Sequence, residues 1–381
     1  MIQPIKHFGV NWVDGMKISQ EHFNSQENFL VDLIRDSSSI GINSFNYGLL
    51  PLPDSATDRT IFEIYNTSTH DVQLQIRKCS AVTMAGYRLE LNDMNVSVRS
   101  LAKSLHSEDE KFEGEFYLMA SVNPFDKEPF GEIDSEEIPP RHPHSKPKYH
   151  LDLVDVGMLS SNHSGGNYLV LGKVDFRGGI AQVDSDFIPP CTSVQSFPKL
   201  MDLYYSYVRS VSNLQQYAFR IIQKNSHKDQ NTALAENVKY MCRTMIGTLG
   251  DNYFELKNIA VSRPPVFLVN IFSKLAIQLY SATQMMVNSE LEEMLNYNLE
   301  WSEVSPHVFL NSLSAVAEVN YDHHNSGEAF AGIQKMLKNL ETVFGRLSEL
   351  DYIGQKKENI IVNEQEVRSN TDPKRGWSVI D

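Results

Sequence analysis

The segment DFIPPCTSVQSFPKLMDLYYSYVRSVSNLQQYAFRII (Asp186–Ile222) holds the change on which the fold turns. Up to Ile188-Pro189-Pro190 the apolar residues tend to alternate with polar ones. Beyond it Leu200, Leu203, Tyr207, Val211, Leu214, Ala218 and Ile221 advance by three or four positions at a time. That spacing places the seven side chains on one narrow stripe of a helix of about six turns, the pattern of a bundle or coiled coil. The chain therefore reads as two parts joined near residue 195.

Toward the C-terminus the helical period persists. A second helix is expected over Thr232–Leu256 (Leu234, Val238, Met241, Met245, Leu249), and a third starts at Pro264-Pro265, where proline is tolerated in the first turn. Ser326–Leu350 has the cleanest stripe, Phe330, Ile333, Leu337, Leu340, Phe344 and Leu347, broadened by Met336, Val343 and Leu350. Between them, Val287–Tyr321 reads as a compact connector containing Trp301 and Pro306. Beyond Gly354 the sequence is polar and without period, a tail.

Toward the N-terminus the period falls to two. Ile61–Tyr65, Val72–Ile76, Tyr87–Leu91, Phe116–Val122 and Tyr168–Val174 are short β-rich runs; turn residues such as Asn66, Ser68, Asp71 and Gly86 separate the first three. Strands at such spacing suggest a sandwich. An early helix is expected around Ser19–Arg35, with Phe23, Phe29, Leu30 and Ile34 partly in register. Pro124–Pro147 holds six prolines and reads as a long loop. The expected class is α+β: a β-sandwich over 1–195 with a Pro-rich loop near 124–147, a helical bundle over 196–352, and a polar tail over 353–381.

Composition narrows the function. Of 381 residues, 34 are basic and 48 acidic, a formal charge of −14. That balance argues against a nucleic-acid binder, which needs a basic surface to displace counterions. The three cysteines, Cys79, Cys191 and Cys242, are far apart and form no C-x-x-C pair, which fits a reducing cytosol. No long apolar segment opens the chain, and the apolar runs are too short to insert in a bilayer. A cytoplasmic location follows as the expectation.

No nucleotide-binding glycine motif or hydrolase elbow is present, so no catalytic or cofactor-binding residue is assigned. His142, His144 and His150 lie in or near the Pro-rich segment without a placed third ligand, and no metal site is assigned. Asp322-His323-His324 precedes the last helix, where Asp is most simply a cap or turn former. The acidic run Glu108–Glu115 reads as a solvated face, and Tyr204, Tyr205, Tyr207 and Tyr217 as packing or interface residues. A metal-dependent enzyme with a non-local site in the β-domain stays open as an alternative.

The opening segment Val10–Gln26 (VNWVDGMKISQEHFNSQ) resembles the start of the TssK family, baseplate subunits of the bacterial type VI secretion system. That family opens with a pattern like W-x-E-G-M-x-L-x-P-Q-H-F-x-x-Q. Trp12, Gly15, Met16, His22, Phe23 and Gln26 match in register, Asp14 and Ile18 are close replacements, and Gln20 and Glu21 depart from it. Phe187–Cys191 resembles the family's FIPPC junction, and Tyr321-Asp322-His323 with Phe330 its lead into a late helix.

The resemblance implies a β-sandwich shoulder, a helical neck that trimerises, and a C-terminal head that engages the inner-membrane complex. The shoulder docks on the TssF–TssG baseplate wedge. Only about thirty polar residues follow the last helix here, so a shortened form without a full head is expected, its membrane-anchor component not identifiable from sequence. Partner-binding residues are then expected at Trp12, Asp14, Met16, His22 and Phe23, and oligomerisation residues at Leu203, Tyr207, Leu214, Leu337, Leu340 and Phe344. Trp12, Met16 and Phe23 could instead be core residues of an early strand and helix. A phage tail baseplate or receptor-binding-type adaptor shares the same plan.

Overall fold

The computed structural model describes residues 3–51, 61–66, 72–98, 113–158, 166–177, 180–227 and 232–356. The chain divides into two compact units. One comprises Met1–Val208, Tyr253–Ile271 and Val319–Ile333; the other comprises Arg209–Asn252, Phe272–Glu318 and Gln334–Asp381. This partition differs from a single cut at residue 195, because the first unit recruits helical residues from three later parts of the chain.

Among the described residues the first unit opens with an arm and helix α1 (Gln20–Ser39), followed by the strands β1 (Gly48–Leu49), β2 (Phe62–Asn66), β3 (Val72–Val82), β4 (Arg88–Ser97), β5 (Gly114–Phe130), β6 (His144–Asp155), β7 (Tyr168–Arg177) and β8 (Ile180–Val183). They form two antiparallel sheets. In one, β3 pairs with β1, β2 and β4; in the other the order is β6-β5-β7-β8. Val72, Leu74 and Ile76 of β3 are buried and alternate with partly exposed neighbours, as the period of two predicts. Phe62 of the first sheet lies against Gly172 of the second, where an added Cβ would come 2.3 Å from the phenyl ring. Only glycine leaves room for the sheets to meet there. The opposite face of β5 and β7 carries a cluster of Met119, Val154, Tyr168 and Val170, closed by Phe187.

The segment expected as a loop over 124–147 is strand at both ends, with a connection between them. β5 runs through to Phe130 and β6 begins at His144, with pairs such as Pro129↔Ser145, so only 131–143 connects them. The prolines do not break the hairpin: Pro147 lies in the edge strand β6, and Pro124 and Pro129 lie past Ser121, where the pairing of β5 with β7 ends and β5 also has a free side.

The proline junction is locked into this unit. Leu49 N–H donates to Pro190 O (2.8 Å), and Thr192 N–H donates to Leu49 O (2.9 Å). Gly48, at φ +117°, makes the approach possible, since a Cβ there would stand 2.1 Å from Pro190 O. Late residues join the same unit. His323 Nε2 lies 2.9 Å from Tyr47 O, and Tyr207 donates its hydroxyl proton to Phe330 O at 2.7 Å.

Among the described residues the helices that follow are α2 (Pro198–His227), α3 (Ala233–Asn258), α4 (Pro265–Gln284), α5 (Asn288–Ser302), α6 (Pro306–Ala317) and α7 (Ser326–Glu349). Within the second unit, Val211, Leu214, Ala218 and Ile221 of α2 and Leu337, Leu340, Val343, Phe344 and Leu347 of α7 are buried. Asn213 donates to Glu341 at 2.9 Å, and Lys224 donates to the Ser348 and Leu350 carbonyls at 2.8 Å. By length and composition α4 alone among the described helices could cross a membrane, but half of its apolar window is buried in the protein.

Two expectations need correction here. The compact connector over 287–321 is mostly helix: Pro306 is the first residue of α6, capped by the Ser305 hydroxyl, which accepts from Val308 N–H at 3.4 Å. The residues expected at an oligomer interface are core. Tyr207, Leu214, Leu337, Leu340 and Phe344 are buried within a single copy, and only Leu203 is half-exposed. A seam at heptad-like spacing specifies that a face is covered, not that a second chain covers it.

The start of the expected tail is docked: Ile353 is buried and its N–H reaches Asn225 Oδ1 (3.3 Å), while Gly354 N–H donates to the Tyr297 hydroxyl (3.0 Å). Residues 357–381 lie outside the described residues.

Candidate docking surface

The N-terminal motif builds a small, specific structure. Val13, Asp14, Gly15 and Met16 form a turn closed by Met16 N–H on Val13 O (3.2 Å). Gly15 sits at its third position with φ +79°, which is why glycine stands there. Ser19 then takes the extended conformation of a helix N-cap, and His22, three residues on, accepts from Ser19 N–H through Nδ1 (3.1 Å). That is one half of a capping box with histidine in the place usually taken by Glu or Gln. The ring of Trp12 lies 5.9 Å from His22 and 6.5 Å from Phe23.

Trp12, His22 and Phe23 therefore come together, with Met16 half-buried and Asp14 exposed in the turn. Trp12 and Phe23 are not core residues, being 48% and 61% exposed.

Helix α1 is inverted relative to an ordinary amphipathic helix. Its buried residues are Asp32, Arg35 and Ser39, whereas Phe23, Leu30, Leu33 and Ile34 are exposed, Ile34 to 66%. The polar side does structural work. Asp32 Oδ2 accepts the backbone N–H groups of Lys6 and His7 (3.0 Å for His7), and Arg35 donates to the carbonyls of Gln3 (2.6 Å) and Pro4 (3.3 Å). Farther along, Gln26 Oε1 accepts Val10 N–H at 3.1 Å. The helix thus clips the arm over residues 3–10 and spends its polar residues doing so. Burial pushes the Asp32 carboxyl up, but the Lys6 N–H, Arg35 and the His7 N–H together outweigh this and hold it below the usual carboxylate value.

The base of the β5–β6 hairpin flanks the clip. Phe125 packs against His7 with the rings tilted (4.1 Å between centroids), and Lys127 pairs with Glu27 at 2.7 Å. Phe8, Trp12, Val13, Ile18, Phe23, Leu30 and Ile34 of the arm and helix are all exposed, and a buried ion pair fixes the scaffold that carries them.

Asp32 and Arg35 were not singled out by sequence. No local signal marked them, because opposite charges three residues apart on the side away from Phe23, Leu30 and Ile34 read as an ordinary solvent-facing pair. Among the described residues no group of three or more His, Cys, Asp or Glu is placed to hold a metal ion. His142 sits on the hairpin connection with Nδ1 2.8 Å from Gly131 O, and Asp322 forms a turn by accepting His324 N–H at 2.9 Å. Most of the acidic run over 108–115 lies outside the described residues; Glu115 at its end pairs with Lys173 at 2.7 Å. All three cysteines are free and buried, and burial pushes the Cys79 thiol up to about 12.

No protein-family model matches the chain, and no curated protein matches it. Solved structures do. A crystal structure of TssK is 14% identical over 87% of this chain and 69% of that one, with a TM-score of 0.49. A chain of the baseplate complex from the type VI secretion system is 14% identical over 76% of this chain and 98% of its own length (TM-score 0.47). A chain of the TssK-TssF-TssG baseplate subcomplex is 12% identical over 91% and 99% (TM-score 0.48).

Proposed function

We propose that this protein is a structural, TssK-like subunit of a type VI secretion baseplate, a cytoplasmic homotrimeric adaptor that docks TssF- and TssG-like wedge proteins. The observation that carries the reading is the inverted helix α1. A helix that buries an Asp–Arg pair and leaves Phe23, Leu30, Leu33 and Ile34 in water exposes more clustered apolar area than an isolated globular protein favours, and such a patch marks an interaction surface. It lies in the segment that carries the family-like opening motif, and its Trp and Phe are side chains suited to anchor an interface. The reading assigns no catalysis to the chain.

The self-association surface is drawn from what the cores leave over. Tyr205 and Phe219 of α2 and Tyr240 and Phe254 of α3 are exposed aromatics, each pair fourteen residues apart and so on nearly the same side of its helix. Co-expression with the wedge proteins of the same genome, followed by affinity capture and native mass spectrometry, tests both parts. The expected result is a complex containing three copies of this chain with both wedge partners; a monomer that captures neither overturns the reading.

A further inference from the structure

The first unit holds a cavity of about 490 Å³, within the range of small-ligand sites. Its walls include the rings of Phe45, Tyr47, Tyr168 and Tyr321. Among the described residues the one carboxylate that lines it is the exposed Asp322, and no lysine or arginine lines it; Arg263 is engaged elsewhere, over the ring of Phe267 at 5.5 Å. The two histidines of the wall differ. His323 uses both nitrogens, Nδ1 at 2.8 Å from the Tyr321 hydroxyl and Nε2 at 2.9 Å from Tyr47 O. His324 uses one: Nε2 lies 2.8 Å from the Tyr47 hydroxyl and its ring stacks on Tyr168, while Nδ1 is buried with no partner among the described residues. An unpaired buried nitrogen of this kind is costly, so a ligand group that pairs it gains by doing so.

We propose that this cavity binds an alkylguanidinium or alkylammonium group. The aromatic faces attract a cation through their quadrupoles, Asp322 supplies the counter-charge, and with Nε2–H donated to Tyr47 the lone pair on His324 Nδ1 accepts an N–H of the ligand. The alkyl stem packs against Met84 and Val266, which also line the cavity. The group comes either from a basic side chain of a partner protein or from a free amine. The site does not depend on the baseplate reading, since neither its residues nor its chemistry belong to the arm and α1.

Calorimetric titration of the full chain tests this with three probes: agmatine, acetyl-Gly-Arg-Gly-amide, and the uncharged isostere acetyl-Gly-citrulline-Gly-amide. At least one cation binds saturably with Kd of about 1 mM or tighter, and the citrulline peptide binds at least about tenfold more weakly than the arginine peptide. Tighter binding of the peptide than of agmatine assigns the side-chain source, and the reverse assigns the free amine. Asp322→Asn, which keeps the Oδ1 that accepts His324 N–H, weakens the cation about tenfold. Absence of saturable binding by either cation, equal binding of the citrulline peptide, or unchanged affinity in folded Asp322→Asn overturns the proposal. If that variant does not fold, the arginine–citrulline comparison on the unmodified chain decides.

Discussion

Arg35 Nη2 stands 2.7 Å from Asp32 Oδ1, and the two side chains are 2% and 1% exposed, on a helix whose Leu30, Leu33 and Ile34 face water. The pair also holds the arm, with hydrogen bonds to its backbone at Gln3, Pro4, Lys6 and His7. A buried ion pair contributes modest net stability, but removing one partner strands the other.

Arg35→Ala is therefore expected to cost about 3–5 kcal/mol and to release the arm. Hydrogen exchange should show lost protection at the Lys6 and His7 amides, with that of β3 nearly unchanged. Because the Asp32 carboxyl is held below its ordinary value, the clip is intact at neutral pH and weakens as pH falls through that folded value. Unchanged protection at Lys6 and His7 would show that the arm is held by something else.

The helical seam predicts a stability effect rather than an assembly effect. Leu337 and Leu340 are buried within one copy, so Leu→Ala at either should cost about 2–5 kcal/mol in urea unfolding. Phe254→Ala, at an exposed position, should stay within about 0.5 kcal/mol. The two classes should separate in assembly as well: the Phe254 variant keeps its melting behaviour while its self-association weakens.

His323 predicts an acid-sensitive fold. Burial pushes its pKa down to about 4, against an ordinary value of 6.5, so the folded state holds the neutral ring. The sign follows: the unfolded chain takes up the proton first, and stability is lost as pH falls from about 6.5 toward about 4, by at most about 3 kcal/mol from this group. Above that window its contribution is constant. Urea midpoints at pH 7, 6 and 5 should fall progressively, and His323→Gln should flatten the slope over the same interval even if it lowers stability throughout.

The period of apolar residues carried the α+β division well, because α2, α3, α4 and α7 each bury a continuous stripe and β3 and β7 bury alternating or near-continuous runs. It failed where burial and apolarity part company. Strand β6 reads HSKPKYHLDLVD, with its apolar residues confined to one end because the rest is an exposed hairpin arm. Helices α5 and α6 are short, so neither carries an apolar stripe as long as those of α2 or α7. The docking surface was half legible. Trp12, His22 and Phe23 were found through a motif, but the clip that presents them depends on long-range contacts between residues 3–7 and residues 32–35, which no local pattern encodes.

Affinity for the wedge is the measurement that bears most directly on the account, and it belongs on the full chain, since a cut at residue 195 removes His323 and Phe330 from the unit that carries the arm. Binding of a purified TssF–TssG-like wedge should be compared for the unmodified protein and for the combined Trp12→Ala, Phe23→Ala and Ile34→Ala variant by biolayer interferometry. All three side chains are exposed, so the variant should melt as the parent does while losing about 2 kcal/mol or more of binding, roughly thirtyfold in Kd. Unchanged wedge affinity in the folded variant would contradict the assignment of this face as the docking surface.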